Sequence, residues 1–164
     1  DMDKWRDSRH HGLKIKYKNT NIFLTGGVDD IWQDKVTGKL AVVDYKSQAS
    51  NEDVSQDTYF QKWHHDGYKT QLNFYAYIMK NMELEFDISK DSYLYVVNGL
   101  ELDEGFNSQI KFSETLIHHK IETDYLEDKI QKMIDTMNST ETPEGHESCK
   151  NCAYARQRSI IDKL

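Results

Sequence analysis

Residues 26–47, GGVDDIWQDKVTGKLAVVDYKS, constrain the fold of this chain more than any other stretch. They read as two β-strands joined by a tight turn at Thr37-Gly38-Lys39, where glycine supplies the φ > 0 that such a turn needs. The second strand opens on apolar Leu40, Val42 and Val43 but ends in Asp44-Tyr45-Lys46. A buried run therefore delivers a carboxylate and an ammonium to the edge of a core. Side chains alternate along a strand, so Asp44 and Lys46 share one face and Tyr45 takes the other. Asp29 and Asp30 follow Gly26-Gly27 on the preceding strand, which lets at least one of them lie beside Asp44. Two acids and a lysine meeting at a strand end suit a divalent cation and a polarised water. A D-x-K pair taken alone is equally a solvated surface pair, so the surroundings decide.

A chain of 164 residues with 37% hydrophobic and 30% charged residues and one proline suits a single domain spanning residues 1–164. No apolar run approaches the roughly 20 residues of a membrane helix, and no secretory leader opens the chain. Asp1 comes first with Met2 behind it, a start that reads as a fragment or a processed chain. The net charge of −7 argues against broad, non-specific polyanion binding. It leaves room for a local basic groove, and bound cations would invert the field at an acidic site. The cysteines are Cys149 and Cys152, too few for a disulfide scaffold, which favours a reducing, cytoplasmic setting.

Residues 1–11 are polar around Trp5 and read as the end of a helix whose start is missing. Lys14-Ile15-Lys16-Tyr17-Lys18 alternates as a strand with three lysines on one face, either flanking a nucleic-acid groove or blocking unwanted edge pairing. Asn19-Thr20-Asn21 reads as a turn. Residues 22–32 follow as one strand interrupted by the two glycines, a bulge or close backbone approach that fits a site admitting a phosphate. Residues 47–57 lack apolar period and read as a loop beside the site.

Residues 66–82 carry the clearest helical pattern, with Tyr68, Leu72, Tyr75, Ala76 and Met79 recurring at helical spacing. Gln71 and Tyr75 are neighbours on that helix. A glutamine on a largely apolar face is odd, because its amide gains nothing from burial without partners. Spacing alone fits a boundary Gln and a core Tyr. Residues 92–98 form a further strand, and 106–112 and 115–119 two short ones. A helix capped by Thr123 or Asp124 runs to about Met137, with Tyr125, Leu126, Ile130, Met133, Ile134 and Met137 on its apolar side. The order implies an α/β (α+β) fold, a mixed sheet flanked by helices.

The tail, residues 141–164, holds His146-x-x-Cys149-x-x-Cys152. One C-x2-C is half of a zinc or iron–sulfur site, and His146 is the only other candidate ligand nearby. The paired histidines 10/11, 64/65 and 118/119 fit surface or capping roles, with His65 at the start of the 66–82 helix the one to watch.

Taken together, G-G-V-D-D-I, V-V-D-Y-K-S and Q-L-N-F-Y resemble the PD-(D/E)XK nuclease superfamily, in particular its RecB-like branch, which includes the CRISPR adaptation exonucleases. The resemblance is most specific over residues 26–75. It implies a restriction-endonuclease-like core with a shortened N-terminal helix, and a phosphodiesterase using Mg²⁺ or Mn²⁺. On that reading Asp29, Asp44 and the main-chain carbonyl of Tyr45 hold the metal, an all-oxygen set for a hard cation. Lys46 orients the attacking water and offsets transition-state charge. Gln71 and Tyr75 stand beside the site, which gives their placement a reason. The family's leading helix usually adds an upstream Glu or His; Asp7 and His10 are the nearest stand-ins here. RecB-like members with an iron–sulfur cluster use one cysteine near the start and three near the end. Cys149 and Cys152 therefore amount to half a site, completed only by upstream cysteines.

The expected function is metal-dependent cleavage of DNA, at ends or on single strands. The competing expectation is a module of the same shape that binds nucleic acid or a partner without cutting.

Overall fold

The computed structural model describes residues 2–101, 105 and 107–161. The chain divides into two compact units, Asp1–Asp124 and Tyr125–Leu164. The first contains α1 (Met2–Arg6), β1 (Leu13–Lys16), β2 (Phe23–Gly26), β3 (Asp30–Gln33), β4 (Leu40–Ala49), α2 (Gln56–Tyr59), α3 (Asp66–Lys80), β5 (Asp91–Leu100) and β6 (Lys111–Lys120). Strands β3-β4-β5-β6 form a four-stranded sheet in that order, while β1 and β2 pair as a separate two-stranded sheet. The β4–β5 pair is parallel and its neighbours are antiparallel, so the sheet is mixed. A parallel pair needs a long crossover, and α2, a 3₁₀ turn at Trp63–His65 and α3 provide it.

The turn before β4 forms where the sequence places it. Gly38 has φ +72°, and the Asp34 carboxylate accepts the N–H groups of Val36 at 3.0 Å and Thr37 at 2.6 Å. Beyond it, Val42 and Asp44 point to the face that carries Leu94, Val96 and Ile117, all fully buried. Leu72, Ala76 and Met79 of α3 are buried as well. α3 is tied to the far strand by Asn73, whose side-chain oxygen takes the N–H of Glu122 at 3.1 Å and meets His119 Nε2 at 2.9 Å.

Three expectations need correction. Residues 22–32 are not one interrupted strand: β2 pairs with β1, and after Gly26-Gly27 the chain leaves that sheet to enter the other as β3. The loop expected over 47–57 is confined to 50–55, because β4 runs on to Ala49 paired with β5 as far as Gly99, and α2 begins at Gln56. Polar side chains hid this extension, since a strand end held by parallel pairing needs no apolar alternation. The two short strands near 106–119 are one strand, Lys111–Lys120, with 107–110 outside it; Phe106 lies outside the described residues.

In the second unit, α4 (Leu126–Asn138) follows Tyr125, and no side chain caps it, in contrast to the expected Thr123 or Asp124 cap. Leu126, Ile130 and Ile134 are buried, whereas Met133 and Met137 are 64% and 73% exposed. The buried stripe is thus one i, i+4 row, narrower than the six residues the pattern offered. α5 (Lys150–Ile161) buries no side chain. Cys149 and Cys152 are joined as a disulfide at its start.

Candidate functional site

The middle of β4 and the face of α3 that carries Gln71 and Tyr75 meet across a polar cluster at the edge of the apolar core. Asp44 is 1% exposed. Its Oδ2 forms an ion pair with Lys46 Nζ at 2.5 Å, and its Oδ1 accepts a hydrogen bond from Gln71 Nε2 at 2.9 Å. Lys46 Nζ donates in turn to Gln71 Oε1 at 3.1 Å, and Gln71 Nε2 also donates to the Tyr75 hydroxyl at 3.0 Å. The glutamine amide is therefore oriented at both ends, oxygen to the ammonium and nitrogen to the carboxylate. Its place on an apolar helix face is explained by partners that lie 25 and 27 positions away in the chain.

Asp29 and Asp30 part company. Asp29 turns toward Asp44, and its Oδ2 accepts the Tyr45 N–H at 2.8 Å. The two carboxyl groups stand within hydrogen-bonding reach of one another, and the Asp29 carboxylate makes a charge on Asp44 costlier. Asp30 occupies the opposite face, receiving the Tyr45 hydroxyl at 2.7 Å and Arg6 at 3.1 Å. Tyr45 gives its N–H to the Asp29 side; in an extended chain a residue's N–H and C=O point the same way, so its carbonyl faces that edge too.

Burial pushes the Asp44 carboxyl above its ordinary 3.8; Lys46 opposes this in part, and the neighbouring Asp29 charge adds to it. Despite the ion pair, Asp44 Oδ2 receives no well-aligned hydrogen bond. A buried carboxylate oxygen without such a partner, a second carboxylate beside it and a main-chain carbonyl at the same edge make an oxygen donor set that fits a hard divalent cation. Among the described residues no group of three or more His, Cys, Asp or Glu side chains converges, so the side-chain donors here are two. Asp7 and His10 are occupied with each other, Nδ1 to Oδ2 at 2.9 Å.

The two glycines serve close approach, as expected, but protein atoms take the space. A Cβ on Gly26 would lie 2.6 Å from the Tyr75 ring, and one on Gly27 would lie 2.7 Å from Ser8 Cβ. Gly26 thus lets Tyr75 reach Gln71, and Gly27 lets the turn after α1 pack on the strand exit. His65 is buried, with Nδ1 2.6 Å from the Tyr59 carbonyl oxygen. Burial holds its pKa below the ordinary 6.5, which makes it a packed neutral imidazole. Cys149 and Cys152, linked to each other, offer no thiolate in this state; metal ligation belongs to the reduced pair.

Sequence reasoning passed over two residues. Helical spacing sets Tyr68 in an apolar stripe, yet its ring centroid lies 4.5 Å from Lys46 Nζ. Its spacing from Gln71, three positions upstream on the same helix, was the available signal. Arg6 holds the strand entry, with Nε donating to the Asp29 carbonyl at 2.7 Å, and nothing in its local sequence marks it.

Residues 2–157 match the family model of the PD-(D/E)XK nuclease superfamily. Comparison with curated proteins gives no match, and neither does comparison with solved structures. The mixed sheet flanked by helices is that of a restriction-endonuclease-like fold. Because the match runs through the strand exit, the D-x-K strand and the helix of Gln71 alike, the chain belongs to the PD-(D/E)XK nuclease superfamily.

Proposed function

We propose that this domain is a Mg²⁺- or Mn²⁺-dependent nuclease of the RecB-like branch that hydrolyses DNA at ends or on single strands in the cytoplasm. Superfamily membership supports phosphodiester hydrolysis and nucleic-acid binding. No helix among the described residues is long and apolar enough to cross a membrane. The single observation that carries the finer reading is the Asp44–Lys46–Gln71–Tyr75 network with Asp29 turned into it. A protein gains no stability from setting a second carboxylate beside a buried one. Such a cluster makes sense where a cation and a phosphate arrive.

Asp29, Asp44 and the Tyr45 carbonyl would hold the metal. When bound, it supplies Lewis-acid polarisation of the phosphate and a water acidic enough to attack. Lys46 orients that water and offsets the extra negative charge of the pentacovalent transition state. Gln71 fixes Lys46 relative to Asp44, and Tyr75 fixes Gln71.

The test is cleavage of end-labelled single-stranded and duplex DNA, and of RNA, with Mg²⁺, Mn²⁺ or chelator, by the wild type and by Lys46→Ala. Metal-dependent cleavage of DNA that falls about 10²–10³-fold in the variant is the expected result. A second reading, a binding module without catalysis, is favoured by the presence of only two acidic side chains at the site. It predicts DNA binding that persists with no cleavage under any metal.

A further inference from the structure

We infer that Tyr68 is a positioning residue for Lys46, closing the third side of the ammonium so that the remaining direction points to substrate. This rests on the nuclease reading for its catalytic meaning, and on geometry alone for the contact. Lys46 Nζ has a carboxylate on one side at 2.5 Å, the Gln71 amide oxygen on another at 3.1 Å, and the face of the Tyr68 ring at 4.5 Å. An ammonium over a π face is attracted by the ring quadrupole, and more so once desolvated. The Lys46 side chain keeps only 19% of its surface exposed.

The ring is itself held in place. His65 lies against it at 5.1 Å between centroids, tilted by 33°, and Tyr59 stacks on it at 6.5 Å and 20°. His65 is fixed by its hydrogen bond to the Tyr59 carbonyl, and both His65 and Tyr59 are buried. Tyr68 therefore cannot turn away without disturbing a packed aromatic cluster. Lysine has four rotatable bonds and much rotamer freedom to lose. A rigid apolar wall removes the rotamers that would swing Nζ away from Gln71, and keeps water off that side. Tyr68, Gln71 and Tyr75 at i, i+3 and i+7 thus form one row along α3, the first two gripping the lysine and the third bracing the second.

Two measurements on the intact chain test this. In Mg²⁺-dependent hydrolysis of a labelled single-stranded DNA, Tyr68→Leu lowers kcat about tenfold or more with KM little changed, and Tyr68→Phe, which keeps the π face without the hydroxyl, recovers most of the loss. In denaturant unfolding with chelator present, Tyr68→Leu and Lys46→Met are non-additive. The double variant loses about three- to thirtyfold less in the folding constant than the product of the single losses. Additive losses overturn the contact, and a Phe variant as slow as the Leu variant overturns the positioning role. If the wild type cleaves nothing with any metal, the nuclease reading fails by itself, and the unfolding cycle still decides for or against the Tyr68 contact.

Discussion

Around the β3–β4 hairpin, Asp30 and Asp44 lie on opposite faces of the same sheet and meet contrasting surroundings. Asp30 receives four donors: Arg6, the Ile31 N–H, the Trp32 indole and the Tyr45 hydroxyl. Partial burial pushes its pKa up, but the bond from Tyr45 and the other donors outweigh that and hold it below 3.8. Asp44 is deeply buried, has a second carboxylate for a neighbour and ends with a raised pKa despite its lysine. The first acid is satisfied by the fold. The second is left with charge that the fold does not fully compensate, the property expected of a group reserved for something that binds.

Substitution of each acid by its amide breaks or sharpens that contrast. The largest effect is expected from Asp44→Asn: cleavage falls by at least about a thousandfold, while the melting temperature measured with chelator rises by about 2–4 °C. A drop in both would show Asp44 to be a structural partner of Lys46. Gly26→Ala comes next, because its Cβ would meet the Tyr75 ring at 2.6 Å. Overpacking of this kind costs about 1–3 kcal/mol. Cleavage falls with it as Tyr75 is pushed off Gln71, read from parallel unfolding and turnover curves. Asp30→Asn is expected to lose about 1 kcal/mol of stability through its weakened hydrogen bonds, with turnover little altered.

The smallest effect is on the pH dependence of unfolding, and here the two acids differ in sign. Asp44 binds its proton more tightly folded than unfolded, so its contribution to stability is full below 3.8 and is lost as pH rises through its raised folded value. Asp30 binds its proton less tightly folded, so its contribution is present above 3.8 and is lost as pH falls through its lowered value. Unfolding curves of the two amide variants across pH 3–7 (a range of about four units around the ordinary carboxylate value) should therefore diverge in opposite directions from the wild type.

Much of the candidate site is legible in the sequence. Alternation along 40–46 put Asp44 and Lys46 on one face, and helical spacing put Gln71 beside Tyr75; both pairs meet as read. The choice between Asp29 and Asp30 came from the resemblance, since the residues alone leave it open. The structure turns Asp29 toward Asp44 because the chain enters the sheet at Asp30, opposite Val43. Tyr68 escaped notice because its partner, the Lys46 ammonium, lies on another element. The continuation of β4 to Ala49 escaped because its support is the parallel strand β5, far along the chain.

What the sequence determined by itself is periodic and short-ranged: the hairpin turn at Gly38, the faces of β4, the Gln71–Tyr75 pair on α3. These follow from backbone geometry, which fixes the direction of every side chain relative to its near neighbours. Only the tertiary structure decided which carboxylate joins Asp44, what fills the space above each glycine, and which ring walls in the lysine. Those outcomes depend on pairings between segments tens of residues apart, whose energies no local pattern carries.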